Sequence, residues 1–188
     1  MNGDKALVEL LLKTNADVNT RNSIHRTPLS YAAQSGDEAV VKLLLSTNAD
    51  VNNGGPLSYA AISGQEAMVK LSLKANAHIL QTDRFGATAL IYAAKNGHEA
   101  VVRLLLEVYT VINSRYLISM KDLFNITALD YAVVEGYDAI AKLIKDSQAI
   151  GDHLRNCSVP TSIEGIRKAI RDLRVASGDT EEISKRLI

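Results

Sequence analysis

The sequence has little of what several protein classes depend on. Its 188 residues include a single cysteine, Cys157, which excludes an internal disulfide and a cysteine-based zinc site. Lys plus Arg number 21 and Asp plus Glu number 21, so the basic excess that nucleic-acid binding usually needs is missing. No apolar run reaches the roughly 18 residues of a membrane-spanning helix. We therefore expect no nucleic-acid partner and no membrane partner.

Patterns typical of metal, cofactor or catalytic sites are scarce as well. The four histidines, His25, His78, His98 and His153, show no metal-ligand spacing. The sequence has no glycine-rich phosphate loop after a strand and no nucleophile elbow. The N-terminal residues MNGDKALVEL lack the basic-then-apolar pattern of a signal peptide. We expect an intracellular protein, cytoplasmic or nuclear, that binds neither a metal nor a cofactor.

A repeated segment is the strongest positive feature. PLSYAA stands at Pro28–Ala33 and again at Pro56–Ala61, and the looser copies TALIYAA and TALDYAV follow at Thr88–Ala94 and Thr127–Val133. A second shared segment follows each of five glycines, which are spaced by 33, 28, 33 and 39 residues. These glycines are Gly3, Gly36, Gly64, Gly97 and Gly136. A period near 33 residues indicates a repeat protein whose units must stack to bury their apolar sides.

The repeated segment resembles the T-P-L-H-x-A signature of the ankyrin-repeat family. The resemblance covers about Gly3 to Asp146 and implies an all-α solenoid, in which helix-turn-helix units stack and carry loop fingers. We assign residues 1–150 to this array. Residues 151–188 are expected to form C-terminal helices that cap the stack or, alternatively, a basic helix that docks a partner.

Residues at the predicted helix ends agree with such units. Thr27 or Thr88 can cap the first helix of a unit, and Pro28 suits its first turn. A second helix is predicted over Glu38–Ser46, where valines and leucines predominate. Asparagine or histidine stands where the family usually has glycine, and both tolerate a left-handed backbone better than most residues. These positions are Asn15, Asn48, Asn76, His25 and Asn125.

The first unit is incomplete. It keeps only its second helix, Ala6–Lys13, so Leu7, Leu10 and Leu11 are expected to face solvent. Either the array is cut from a longer one, or this edge meets another surface. Edge-to-edge self-association of two copies across a two-fold axis would bury the three leucines. A monomer in sedimentation at high micromolar concentration would contradict that pairing.

Unit three is shorter than the others by five residues. Only Asn52–Gly55 leads into Pro56, so a tight turn is predicted in place of a full finger. The second helix of this unit also places Ser72 where its neighbours have Leu44 or Leu105. Unit three is therefore expected to be the softest point of the core.

Unit five is longer, because about six residues are added within 114–125. Tyr109 precedes this insertion at a position where a cap glycine or asparagine belongs, and a bulky residue disfavours the usual turn. The apolar residues of 109–124 have two interpretations: side chains that fill the longer finger, or an exposed finger that grips a partner or ligand. Under the second interpretation Tyr109, Tyr116 and Phe124 are partner-binding residues.

One tyrosine recurs in every copy of the repeated segment, at the variable x of the signature. These residues are Tyr31, Tyr59, Tyr92 and Tyr131. The resemblance implies that this position faces the concave groove in which ankyrin repeats bind partners. Tyrosine joins a large apolar area to a hydroxyl, which suits binding hot spots, although repeated copies that merely pack together would look the same. We predict a non-catalytic scaffold that holds a protein partner in this groove.

Asp130 beside Tyr131, next to the long finger, is the most enzyme-like pair in the chain. Such a pair could perform acid–base chemistry, whereas its structural interpretation is a carboxylate hydrogen-bonded within a loop. The alternative function is therefore a small-molecule binder or enzyme, with a pocket formed by the long finger, Tyr92 and this pair.

Overall fold

The computed structural model describes residues 2–111 and 118–156. The chain divides into two units, Met1–Ser147 and Gln148–Ile188. The repeats lie in the first unit, and of the second only residues 148–156 are described, as the C-terminal part of a helix. Tyr116 and the capping helices expected after residue 156 lie outside the described residues.

Short helices dominate the described ranges, which confirms the all-α architecture predicted from the repeat. In order, these helices are α1 (Asn2–Lys13), α2 (Pro28–Ser35), α3 (Glu38–Ser46), α4 (Pro56–Ile62), α5 (Glu66–Lys74), α6 (Ala89–Lys95), α7 (Glu99–Val111), α8 (Ala128–Val134) and α9 (Asp138–Asn156). The segments that precede α2, α4, α6 and α8 are the four fingers, described at residues 14–27, 47–55, 75–88 and 118–127.

The units stack so that like helices meet. The first helices α2, α4, α6 and α8 contact one another in order, and the second helices α1, α3, α5 and α7 do the same. Ala93 and Ala94 of α6 are fully buried and small enough to let neighbouring helices approach, and Val102 and Leu105 of α7 are buried with them. A single unit could not cover these side chains, so one core runs through the stack.

The predicted helix caps are confirmed. Thr27 and Thr88 have extended backbones and accept hydrogen bonds from the N–H groups of Ser30 and Ile91, each at 3.3 Å. Pro28 occupies the first turn of α2, where its missing N–H costs nothing. The asparagines and histidine predicted at left-handed positions all have φ between 58° and 63°. Local chemistry thus sets the ends of the helices.

Two glycines show how successive units fit together. Gly64 has a φ of 66°, and a Cβ there would come within 2.5 Å of the ring of His98 in the next unit. The His98 ring in turn bonds the carbonyl oxygen of Ile62 at 2.9 Å. Gly97, with a φ of 74°, receives the ring of Tyr137 in the same way. The glycine that ends a first helix therefore also seats a side chain of the following unit.

Helix α1 begins at Asn2, earlier than the predicted start at Ala6. The side chains of Leu7, Leu10 and Leu11 are 50–60 % exposed, as the incomplete first unit predicts. Self-association through this edge stays a prediction.

Helices α7 and α9 continue past the points at which their equivalents end. Tyr109 stands at the expected cap, but the backbone does not turn there and the helix runs to Val111. The Tyr109 side chain is only 1 % exposed, so the longer helix brings its ring into the core. Helix α9 likewise runs through Gly151 to Asn156, beyond the boundary expected at residue 150.

Candidate interaction surface

In three of the four fingers the same type of hydrogen bond shapes the tip, with an Asn or Asp side chain accepting from its own backbone. Asn22, Asp83 and Asp122 each accept hydrogen bonds through Oδ1 from the backbone N–H groups two and four residues further on, at 2.9–3.1 Å. Asparagine and aspartate favour such turns because their short side chains reach their own backbone. Each of these three residues, called the turn residues below, fixes the shape of its own finger tip.

The recurring tyrosine ties each of these fingers to its first helix. The tyrosine lies nine residues after the turn residue. Its hydroxyl forms a hydrogen bond with the other side-chain polar atom of that residue, which is Nδ2 of the asparagine or Oδ2 of an aspartate. The pairs are Tyr31 with Asn22 at 2.9 Å, Tyr92 with Asp83, and Tyr131 with Asp122 at 2.8 Å. In the two aspartate pairs the tyrosine donates to a carboxylate, which makes the stronger kind of hydrogen bond. The tyrosine position therefore has a structural role in these three units.

Burial and the neighbouring carboxylates favour the protonated form of two of these tyrosines. Burial raises the pKa of Tyr92, and the hydrogen bond to Asp83 raises it further. Burial and the hydrogen bond to Asp122 raise the pKa of Tyr131 in the same way. Neither phenol is thus poised to act as a base near neutral pH.

Tyr59 is the exception: Asp50 stands nine residues before it on the short finger, but Asp50 accepts from the N–H of Asn52 at 2.8 Å and does not bond the tyrosine. Within the described residues its hydroxyl makes no hydrogen bond, and its ring is held by Arg26, whose guanidinium lies 3.9 Å from the ring centre. The short finger is fixed instead by Ser30, whose Oγ donates to the carbonyl oxygen of Gly54 at 2.7 Å. Gly54 and Gly55 both have positive φ, which confirms the predicted tight turn.

The contrast between two tyrosines gives a direct prediction. Tyr92→Phe is expected to lower the free energy of unfolding by about 1–2 kcal/mol, because Asp83 loses a phenolic donor. Tyr59→Phe is expected to change it by less than about 0.5 kcal/mol, because no hydrogen bond is lost. Urea denaturation of the two variants measures the difference, and equal losses would contradict the pairing described here.

The tips of the three full fingers each expose a large apolar side chain at an equivalent position. Ile24, Phe85 and Phe124 occupy the same place, two residues after the turn residue, and are 55 %, 42 % and 69 % exposed. Leu123 adds a neighbouring side chain that is 73 % exposed. The repeat thus presents a row of apolar side chains to solvent, interrupted at the short finger. We call Ile24, Phe85, Leu123 and Phe124 the finger-tip row.

The long finger is packed against the core in one part and exposed at its tip. Ile118 is buried and Met120 is half-buried against the core, so this part of the finger packs on the molecule. Leu123 and Phe124 are exposed, and the Leu123 N–H donates to the carbonyl oxygen of Phe85 at 2.8 Å. That bond fixes the tip of the last finger beside the tip of the preceding one.

Asp130 and Tyr131 are not assembled as an acid–base pair. The Asp130 carboxylate accepts hydrogen bonds from the backbone N–H of Thr127 at 2.9 Å and from its hydroxyl at 2.7 Å, which closes a capping box at α8. These bonds hold the pKa of Asp130 below its usual value. Tyr131 bonds Asp122 instead. The arrangement supports the structural interpretation of Asp130.

A cleft of about 450 Å³ lies beside the short finger. The finger before α2 contributes Arg21 and Ile24 to its wall, the finger before α6 contributes Arg84 and Phe85, and Tyr59 lies between them. The cleft arises because the five missing residues of unit three leave space between two full fingers.

Within 2–111 and 118–156 no three His, Cys, Asp or Glu side chains cluster as a metal site requires. None of the helices in those ranges combines the length and apolarity that a membrane crossing needs.

The structure separates the sequence-predicted site residues into three sets. Tyr31, Tyr59, Tyr92 and Tyr131 all lie at the fourth position of a first helix, and all are at least partly exposed. Phe124 is an exposed tip, Tyr109 is buried in the core, and Tyr116 lies outside the described residues. Sequence reasoning missed the turn residues and the tips before Phe124. Their nine-residue and seven-residue distances to the tyrosines were visible in the sequence, although the nine-residue distance also selects Asp50 before Tyr59, which makes no such bond.

The geometry agrees with comparison to known families. The family model for ankyrin repeats, in three copies, matches residues 1–83 and again residues 57–153. A search of curated proteins found no significant match. Because the family model covers most of the chain and the described helices form the stacked units that it implies, this chain belongs to the ankyrin-repeat family.

Proposed function

We propose that this chain is a non-catalytic scaffold that binds a protein partner along the face formed by the finger-tip row and the recurring tyrosines. Ankyrin repeats are generally protein–protein interaction modules, and the family membership gives the general expectation. The observation that carries the specific proposal is the finger-tip row, in which the repeat places exposed apolar side chains at equivalent positions.

Two physical arguments support this face over the rest of the surface. Exposed Phe and Ile side chains cost free energy in water unless something covers them, and adjacent ones are typical of interaction sites. The tips are also preorganised, since turn residues and tyrosine hydroxyls already fix each finger. A fixed surface loses less conformational entropy on binding than a mobile one.

Affinity capture with the full chain tests the proposal. The variant Phe85→Ser/Phe124→Ser removes two tip side chains that are 42 % and 69 % exposed, so it is expected to lose no more than about 1–2 kcal/mol of stability, and its denaturation midpoint checks that it folds. Loss of such apolar anchors is expected to weaken partner binding by at least about 2 kcal/mol, or roughly 30-fold. Capture from cell extract, followed by titration with the recovered partner, measures this change.

Val134→Ser is the matched control. Val134 is 80 % exposed and apolar, but it lies at the end of α8 opposite to its finger. Partners should be retained by this control and lost by the double variant. Retention of the whole partner set by the double variant would contradict the proposal.

The small-molecule alternative has less support from the geometry. It requires Asp130, Tyr131 and Tyr92 to face a pocket beside the long finger. Asp130 caps α8, and both tyrosine hydroxyls bond finger carboxylates. The cleft described above lies beside the short finger instead. An intracellular location stays a prediction from the sequence.

A further inference from the structure

Tyr59 of unit three does not make the tyrosine–finger hydrogen bond that the other units make. In three units the tyrosine hydroxyl bonds an Asn or Asp side chain on the finger that precedes it. Tyr59 occupies the same helical position, and Asp50 stands nine residues before it, but Asp50 accepts from the N–H of Asn52 at 2.8 Å and no hydrogen bond joins it to Tyr59 within the described residues. The Tyr59 side chain lines the cleft, so a group that enters the cleft can meet its hydroxyl.

The charges around the cleft favour an anionic group. Arg21 and Arg84 line it from the two flanking fingers, and the ion pairs of the described residues involve neither of them. Arg21 donates through Nε to the side chain of Asn53, and Arg84 lies against the ring of Phe85. Neither guanidinium is therefore neutralised by a carboxylate of the described chain.

Asp83 is the acidic side chain in the cleft wall, and three hydrogen bonds hold it to its own finger and first helix. Oδ1 accepts from the N–H groups of Phe85 and Ala87, and Oδ2 accepts from the Tyr92 hydroxyl. These bonds fix its orientation, and within the described residues it makes no hydrogen bond with Tyr59. The cleft offers two cationic groups and a phenolic donor, while apolar walls come from Ile24, Phe85 and Ile62.

We propose that this cleft receives an acidic turn of the partner protein, whose aspartate accepts a hydrogen bond from Tyr59 and meets Arg21 and Arg84. The inference rests on the proposed function and names the chemistry of the partner. The partner's turn would fill the space left by the shortened finger of unit three, and its aspartate would bond Tyr59 as Asp83 and Asp122 bond the tyrosines of their own units. A carboxylate with arginine and phenolic donors forms strong, charge-assisted hydrogen bonds.

A displayed library of disulfide-closed loops tests this proposal with the full chain. Each loop carries a turn of random sequence. At one fixed position of that turn, half of the library has Asp and the other half has Asn. Among loops that bind the wild-type chain, the Asp form is expected to be enriched at least about tenfold over the Asn form. Tyr59→Phe and Arg84→Gln are each expected to weaken the selected Asp loops by about tenfold or more.

Two matched controls keep the result specific. Tyr137→Phe removes a phenolic hydroxyl, and Lys74→Gln removes a positive charge, at positions that do not line the cleft. Both should leave loop binding unchanged. Because no hydrogen bond of Tyr59 is lost, Tyr59→Phe should fold, and its denaturation midpoint checks this. If it does not fold, the Arg84→Gln and Lys74→Gln pair decides the question.

Several outcomes would overturn the proposal. These are equal binding of Asp and Asn loops, full binding by the Tyr59 and Arg84 variants, and the recovery of no loops at all. Displacement of the loops by an equimolar amount of free N-acetylaspartate would assign the cleft to a small acid instead. Partner binding that is lost in Phe85→Ser/Phe124→Ser but unchanged in both cleft variants would overturn this inference and leave the proposed function intact.

Discussion

Leu105→Ala is expected to lower the free energy of unfolding by about 2–5 kcal/mol. Leu105 is fully buried in α7, within the core that joins successive units. Its truncation removes apolar surface and leaves a cavity that the close-packed surroundings fill only in part. Urea denaturation of the full chain measures the change.

Ser72→Ala is the matched control, since Ser72 occupies the same register in α5 and is also buried. Serine differs from alanine only by its hydroxyl group, so the replacement removes no apolar atoms. It is expected to change the free energy of unfolding by less than about 1 kcal/mol. A loss below about 1 kcal/mol at Leu105 would contradict a continuous core. Equal losses at the two positions would contradict a softer unit three.

Tyr109→Ala is expected to cost about 3–5 kcal/mol, the range for a large side chain removed from a core. Phe124→Ala, in the same long finger by sequence, is expected to cost less than about 0.5 kcal/mol because its ring is exposed. The sequence predicts both residues to bind a partner. Denaturation of both variants therefore shows which of the two side chains belongs to the core and which lies on the surface. A stable Tyr109→Ala variant would contradict the burial of this ring.

The same residue gives an alkaline test. Burial raises the pKa of Tyr109, so the folded chain keeps the phenolic proton at a pH where the unfolded chain loses it. Stability from this group is present below the unfolded value, about 10, and is lost as pH rises above it. Each such tyrosine contributes a slope of up to about 1.4 kcal/mol per pH unit. Tyr109→Phe should therefore reduce the loss of stability between pH 10 and 11.

Features governed by local chemistry were predictable from the sequence. Thr27 and Thr88 cap helices because their side chains reach a backbone N–H three residues away. Asn48 and His25 adopt positive φ because their side chains tolerate it, and the repeat period locates both positions. Stacking followed from the period itself, since one unit cannot bury its own apolar side.

Features that depend on how a finger folds back were not predictable in this way. Tyr109 could have ended α7 or continued it, and the burial of its ring in the stacked core favours continuation. The pairing of Tyr131 with Asp122 requires both the tip turn and the position of α8. Ile118 and Phe124 are equally apolar in sequence, yet one packs inward and the other outward. Tertiary contacts, rather than residue type, decide each of these cases.

Hydrogen exchange of the full chain, with and without the partner recovered by affinity capture, tests whether the partner binds at the finger-tip row. The proposed function predicts that the partner slows exchange of the backbone N–H groups at the finger tips, including those of Ile24, Phe85 and Phe124. The second helices α3, α5 and α7 should keep the exchange rates of the free chain. Slowing confined to those second helices, with the finger tips unchanged, would contradict binding at the finger-tip row.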